Sequence, residues 1–241
     1  MLLRKAVLII HGFAGGVYDS ESLQYQLTPN FELDVYTFTL PGHESNLVTK
    51  ISHKDWIKSA EEHIEILIKK GYRSIYVVGY SMGGVLATYL VNKYKEIKKL
   101  VLVSPAFQYL DADAKLSNKI DSLVKTGSSI VKTYKAKEIL SRMLKVSIPM
   151  VIEFTKLVEA SQNEPKKIKM PTLIIQGMSD DIVPFTSAQY VYDNIKGKKN
   201  VIFLRDINHD VFNSTKKDSV NKEIEKFLTS LIYKEINVRH W

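Results

Sequence analysis

The chain contains no cysteine, which excludes disulfides and thiol catalysis and fits a reducing compartment. It has no run of about 18 apolar residues, so no transmembrane helix is expected. The apolar run from Ala6 to Ile10 is too short for a signal-peptide core, and no small-residue cleavage site follows it. A cytoplasmic protein without stable membrane insertion is therefore expected. Arginine clusters, zinc-ligand spacings, internal repeats and low-complexity stretches are also missing. The net charge of +8 comes from dispersed lysines, with the pairs Lys69-Lys70, Lys98-Lys99, Lys166-Lys167, Lys198-Lys199 and Lys216-Lys217 near the ends of elements. That pattern reads as a solvated lysine-rich surface with no nucleic-acid partner.

What remains is 241 residues, 45% apolar and 25% charged, a length that suits one α/β domain with an insertion. Short apolar runs read as strands at Lys5 to Ile10, Asp34 to Leu40, Ser74 to Gly79, Lys99 to Ser104, Pro171 to Gly177 and Asn200 to Asp206. Between them lie helical periodicities. Ser52 to Lys70 places Trp56, Ile57, Ala60, Ile64, Leu67 and Ile68 on one face, with Ser52 and Asp55 as a cap and Gly71 as a stop. Met82 to Tyr94, Ser187 to Ile195 and a last helix carrying Val220, Ile224, Phe227 and Leu228 follow the same rule. Strands alternating with helices predict an α/β fold with a mostly parallel sheet covered on both faces. Residues 106–169 break the alternation. Leu116, Ile120, Leu123 and Val124 form one stripe, and Met150, Val151, Phe154, Leu157 and Val158 another, with a turn at Gly127 to Ser129. They are expected to form a helical insertion between a core of residues 1–105 and 170–241.

The segment Gly79-Tyr80-Ser81-Met82-Gly83 joins a strand to a helix, the context in which Gly-x-Ser-x-Gly makes a nucleophile. A tight turn there lifts the Ser81 oxygen above the sheet, and the helix behind it presents amide groups and a positive dipole to a developing oxyanion. A serine nucleophile needs a base. His209, between the last strand and the last helix, is the best-placed histidine. His53, His63 and, at a frayed C-terminus, His240 read as solvated or capping residues, and His43 as structural. An acid must orient the base. Asp180 and Asp181 both follow a strand at its carboxyl end, the edge on which ligand sites of parallel sheets lie; Asp206 and Asp210 flank His209 too closely. After the first strand, the glycines of His11-Gly12-Phe13-Ala14-Gly15-Gly16 let backbone amides approach a reacting carbonyl.

Together these segments resemble the α/β-hydrolase superfamily. The order Ser81, acid, His209 matches, as do the His-Gly-Phe loop, the Gly-Tyr-Ser-Met-Gly elbow, Gly-x-x-Asp-x-x-Val-Pro at Gly177 to Pro184, and Leu40-Pro41-Gly42-His43. The resemblance runs from about Val7 to Leu231 and is strongest to small bacterial carboxylesterases and monoacylglycerol lipases. It implies Asp180 as the triad acid, the backbone N–H groups of Phe13 and Met82 as the oxyanion hole, and the insertion as a cap or lid. It implies a serine hydrolase acting on a small carboxylic ester, with no cofactor or metal, and with the cap as a surface through which two copies could meet. Thioesterases and acyltransferases share the triad, and the fold also serves as a non-catalytic binding module. One departure is Glu44, where relatives commonly follow Pro-Gly-His with glycine.

Overall fold

The computed structural model describes residues 4–44, 51–108, 148–231 and 237–241. Strands β1 (Lys5–Ile10), β2 (Leu33–Thr37), β3 (Ile75–Tyr80), β4 (Ile97–Val103), β5 (Thr172–Gly177), β6 (Lys199–Leu204) and β7 (Asn237–His240) form one sheet. Their order is β2-β1-β3-β4-β5-β6-β7, and every neighbouring pair is parallel. The described helices are α1 (Glu21–Leu27), α2 (His53–Lys69), α3 (Met82–Lys93), α4 (Ile148–Ser161), α5 (Phe185–Asn194) and α6 (Lys217–Thr229).

Strand periodicity builds the two cores. On β3, Ile75 and Val77 point into a layer with Trp56, Ala60 and Ile64 of α2, while Tyr76, Val78 and Tyr80 enter a layer with Val220, Ile224 and Phe227 of α6. Each fully buried Leu, Ile or Val contributes roughly 1.5–3 kcal/mol. Both faces are apolar, so the strands read as continuous hydrophobic runs. α2 starts as its sequence predicts. The Ser52 N–H donates to the Asp55 carboxylate at 2.8 Å, and Gly71 takes φ +96° just past the helix.

Three differences from the sequence reading have physical causes. β2 closes at Thr37, although Phe38 and Leu40 beyond it are buried. α1 was not anticipated, since it is one seven-residue helix with only Leu23 and Leu27 buried. The C-terminal segment is not frayed. Asn237–His240 adds a parallel edge strand to β6, the His240 ring stacks on Phe203 at 5.5 Å, and the Trp241 N–H donates to the Phe203 carbonyl at 2.9 Å. Within the expected insertion, α4 buries Met150, Phe154, Leu157 and Val158 against the layer that holds α2 and α3. The stripe at Leu116 to Val124, the turn at Gly127 to Ser129 and the surface assigned to a cap-mediated dimer lie outside the described residues.

The topology has two edges. The chain runs from β1 to β2 on one flank and returns to pair β3 on the other, so the carboxyl ends of β1 and β3 open at a topological switch point. All strand amino-termini lie on the opposite edge. Four of the five lysine pairs, 69–70, 98–99, 166–167 and 198–199, fall on that amino-terminal edge, and Lys216-Lys217 opens α6 on the other. Among the described residues no helix is long and apolar enough to cross a membrane.

Candidate active site

Ser81 sits between β3 and α3 with φ 54° and ψ −117°, a left-handed conformation that costs a non-glycine residue about 1–3 kcal/mol. Its neighbours enforce it. A Cβ on Gly79 would meet the Gly83 carbonyl oxygen at 2.4 Å, and one on Gly83 would meet the Ile10 carbonyl oxygen at 2.2 Å. Two glycines are therefore the condition for α3 to start this close to β1 and β3. The Ser81 N–H donates to the Val103 carbonyl at 2.9 Å, which ties the turn to β4.

His209 Nε2 lies 3.1 Å from Ser81 Oγ, and His209 Nδ1 lies 2.8 Å from Asp180 Oδ2. A carboxylate only accepts, so Nδ1 carries the proton and Nε2 is left to accept from the serine hydroxyl. Ser81 and His209 are buried, and the Asp180 side chain is fully so. Asp180 Oδ1 accepts from the Ile182 and Val183 amides at 3.0 and 2.8 Å. Asp181, the residue-level alternative, is exposed on the far side of that turn.

The Gly12-Phe13 loop lies against Ser81, and a Cβ on Gly12 would meet Ser81 Cβ at 3.1 Å. Among the described residues, neither the Phe13 nor the Met82 N–H has an acceptor. His11 anchors this loop as a neutral ring. Its Nε2 accepts from the Leu40 N–H at 2.9 Å and its Nδ1 donates to the Gly12 carbonyl at 2.8 Å. Burial, with a smaller contribution from His43, lowers its pKa to about 4. Among the described residues no three His, Asp or Glu side chains come together so as to hold a metal ion.

The sequence matches the family described as Serine aminopeptidase, S33, over residues 3–216. The chain belongs to this family of α/β-hydrolases. It is 26% identical over 215 residues to the thermostable monoacylglycerol lipase of Bacillus sp. (strain H-257), covering 84% of this chain and 82% of that one. It is 24% identical over 243 residues to the carboxylesterase of Bacillus subtilis (strain 168), covering 94% and 93%. The fold is similar to that of a Paleococcus ferrophilus monoacylglycerol lipase, with a TM-score of 0.71 at 18% identity over 92% of this chain and 93% of that one.

Two residues at this α/β-hydrolase site, Gln176 and Tyr80, make contacts that the sequence reading does not assign, and residues it named, Phe154 and His43, acquire partners. Gln176, on β5, donates from Nε2 to Asp180 Oδ2 at 2.9 Å. Its signal was a polar residue inside an otherwise apolar strand. The Tyr80 hydroxyl donates to the His209 carbonyl at 3.1 Å and its ring lies 5.2 Å from the imidazole, fixing the histidine loop on β3. Phe154 of α4 stacks on Phe13 at 5.0 Å. His43 is largely buried, with its ring edge-on to His11, Phe13 and Trp56, and burial lowers its pKa. Glu44, the departure from the family pattern, is exposed, and the Pro41 carbonyl accepts from Trp56 Nε1 at 2.9 Å, which holds this loop.

Two histidines on α2 are packed rather than solvated. His63 stacks on Phe38 at 3.8 Å. His53 Nδ1 lies 2.7 Å from Glu153 of α4. Burial opposes ionisation of Glu153, but hydrogen bonds from Lys156 and His53 outweigh it and hold the carboxyl at about 2.

Proposed function

We propose that the chain is a cytoplasmic serine hydrolase that cleaves small carboxylic esters, with short or medium acyl chains or monoacylglycerols as the substrate class, through an acyl-enzyme. The observation that carries this reading is the unbroken hydrogen-bond chain Ser81–His209–Asp180 at the switch point of the sheet. The names of the curated relatives support an ester rather than a peptide as substrate.

In this reading His209 Nε2 takes the Ser81 proton as Oγ attacks the ester carbonyl. Asp180 stabilises the imidazolium that forms. The Phe13 and Met82 amides hold the oxyanion, each contributing about 3 kcal/mol in the transition state. His209 then protonates the leaving alcohol, and water activated by the same ring releases the acid. No step in this scheme calls on a cofactor. Residues 106–169 are assigned as the cap, and of its described part Phe154 of α4 reaches the site by stacking on Phe13.

A p-nitrophenyl ester series from acetyl to palmitoyl tests the proposal, with Ser81→Ala alongside. Serine-dependent hydrolysis peaking at short or medium chains is the expected result. Turnover of aminoacyl p-nitroanilides or acyl thioesters with esters left intact would move the assignment to peptidase or thioesterase chemistry. A folded protein inert toward all three would leave a binding module.

A further inference from the structure

We propose that the amino-terminal edge of the sheet docks on an anionic phospholipid surface and turns the Ser81 edge away from the bilayer. Docking does not depend on the catalytic reading; only the orientation clause does.

Among the described residues, the amino-terminal edge carries a row of exposed cations. Exposed Lys69 and Arg73 precede β3, Lys95 precedes β4, Lys169 precedes β5, and Lys196 and Lys198 precede β6. Three of the acids on this edge are paired, while Glu96, Glu159 and Asp193 also lie there, the last two exposed. Glu32 pairs with Lys5 at 2.6 Å, Asp34 with Arg4 at 2.6 Å, and Glu164 with Lys167 at 2.7 Å. On the opposite edge the exposed charges are mixed, with Glu44, Asp181 and Asp206 beside Lys54, Arg205 and Lys217. Lysines at helix C-termini also suit the helix dipoles, yet dipoles do not account for a second feature of the same edge. Phe31, in the turn before β2, is 75% exposed, and Leu231, just past α6, is 96% exposed. α1 and α6 pack side by side, with Gln26 and Asn30 both donating to Glu225, so both apolar residues lie on one flank of the basic edge.

Lysines spread over separate loops, with two large apolar side chains among them, suit a diffuse anionic interface. The charges meet headgroups while Phe31 and Leu231 enter the acyl boundary. A single-stranded nucleic acid would call for aromatic stacking platforms along a groove, and a duplex would engage the lysines but leave Phe31 and Leu231 without a role. Each lysine near an anionic leaflet contributes roughly fivefold in partitioning, so four acting together supply several hundredfold at low salt. Screening removes most of that gain at about 0.5 M salt.

The test is co-sedimentation of the full chain with vesicles of phosphatidylcholine alone or with 30% phosphatidylserine, at 50 and 500 mM NaCl. Binding to the anionic vesicles at least tenfold above neutral ones, lost at high salt, is expected. Lys69→Glu/Arg73→Glu/Lys198→Glu should weaken it more than tenfold, and Phe31→Ser severalfold. Lys216→Glu/Lys217→Glu, on the other edge, and Ser81→Ala should bind as wild type. Bound enzyme should hydrolyse a soluble short-chain ester within twofold of free enzyme. Equal binding to neutral vesicles, no binding at 50 mM NaCl, or tighter retention on duplex RNA at the same salt overturns the proposal. So does a triple variant that melts like wild type and still binds. Should that variant not fold, the wild-type salt series decides.

Discussion

Replacing Gln176 separates what holds Asp180, the acid of the proposed triad, from what holds the fold. The residue is wholly buried at the carboxyl end of β5. Its Nε2 donates to Asp180 Oδ2, the same oxygen that faces His209, and also to the Val183 carbonyl at 3.1 Å. Its Oε1 is buried without a hydrogen-bond partner among the described residues. Gln176→Leu removes the donor and the orphaned acceptor together. A hydrogen bond to a charged group is worth about 1.5–3 kcal/mol, and relief of an unpaired buried polar atom returns about 1–3 kcal/mol. The two nearly cancel in stability, and the lost bond to the Val183 carbonyl leaves a net cost of about 1 kcal/mol, so Tm should stay within about 4 °C of wild type. They do not cancel in catalysis, because only the donor touches Asp180. A loss of about 2 kcal/mol in transition-state stabilisation lowers kcat/KM by roughly 30-fold. Gln176→Glu sets a second carboxyl against Asp180 and should cost more. Thermal melts and p-nitrophenyl butyrate kinetics read the two quantities. Wild-type activity in Gln176→Leu, or activity lost only in proportion to unfolding, refutes the reasoning.

Gly83→Ala should reduce stability by about 3 kcal/mol or more, or leave the protein insoluble, since its Cβ would overlap the Ile10 carbonyl oxygen; denaturation midpoints check this. His11, held at about 4 in the fold against 6.5 when unfolded, binds fewer protons folded than unfolded between those values. Its contribution is complete above pH 6.5 and is lost as pH falls toward 4, a drop of about 3 kcal/mol that urea unfolding should follow and that His11→Asn should flatten. Phe154→Ala, which removes the stack on Phe13, should cost about 3 kcal/mol of stability and lower kcat in the fully folded enzyme; kcat unchanged under folding conditions would detach α4 from the proposed oxyanion role of the Phe13 loop.

The legible parts of the chain are those in which local chemistry and global fold agree. The apolar runs of β1, β3 and β5, the Ser52–Asp55 cap and the glycines around Ser81 each carry their structural reason in the residues themselves. β7 was not legible, because Asn-Val-Arg-His has little strand character and is ordered by β6 and by Trp241 folding back onto Phe203. α1 was hidden for a similar reason: two leucines four residues apart define no periodicity. At the site, Ser81 and His209 stand out from chain order. Asp180 and Asp181 are equivalent as residue types; the family resemblance of Gly177 to Pro184 points to Asp180, and the turn geometry supplies the physical distinction. It directs the Ile182 and Val183 amides onto Asp180 Oδ1 and leaves Asp181 exposed. Gln176 and Tyr80 act through contacts 4 and 129 positions along the chain, and the second separation has no local signature at all.

The central claim is that Ser81 is the nucleophile and that His209 activates it. The most direct test is labelling of the intact protein with a fluorophosphonate, followed by mass spectrometry of the peptide that spans Gly79 to Gly83. A single adduct on Ser81, formed rapidly in wild type and at least a thousandfold more slowly in His209→Ala, is the predicted result. An unlabelled Ser81 in folded protein, or labelling at the same rate without His209, would contradict it.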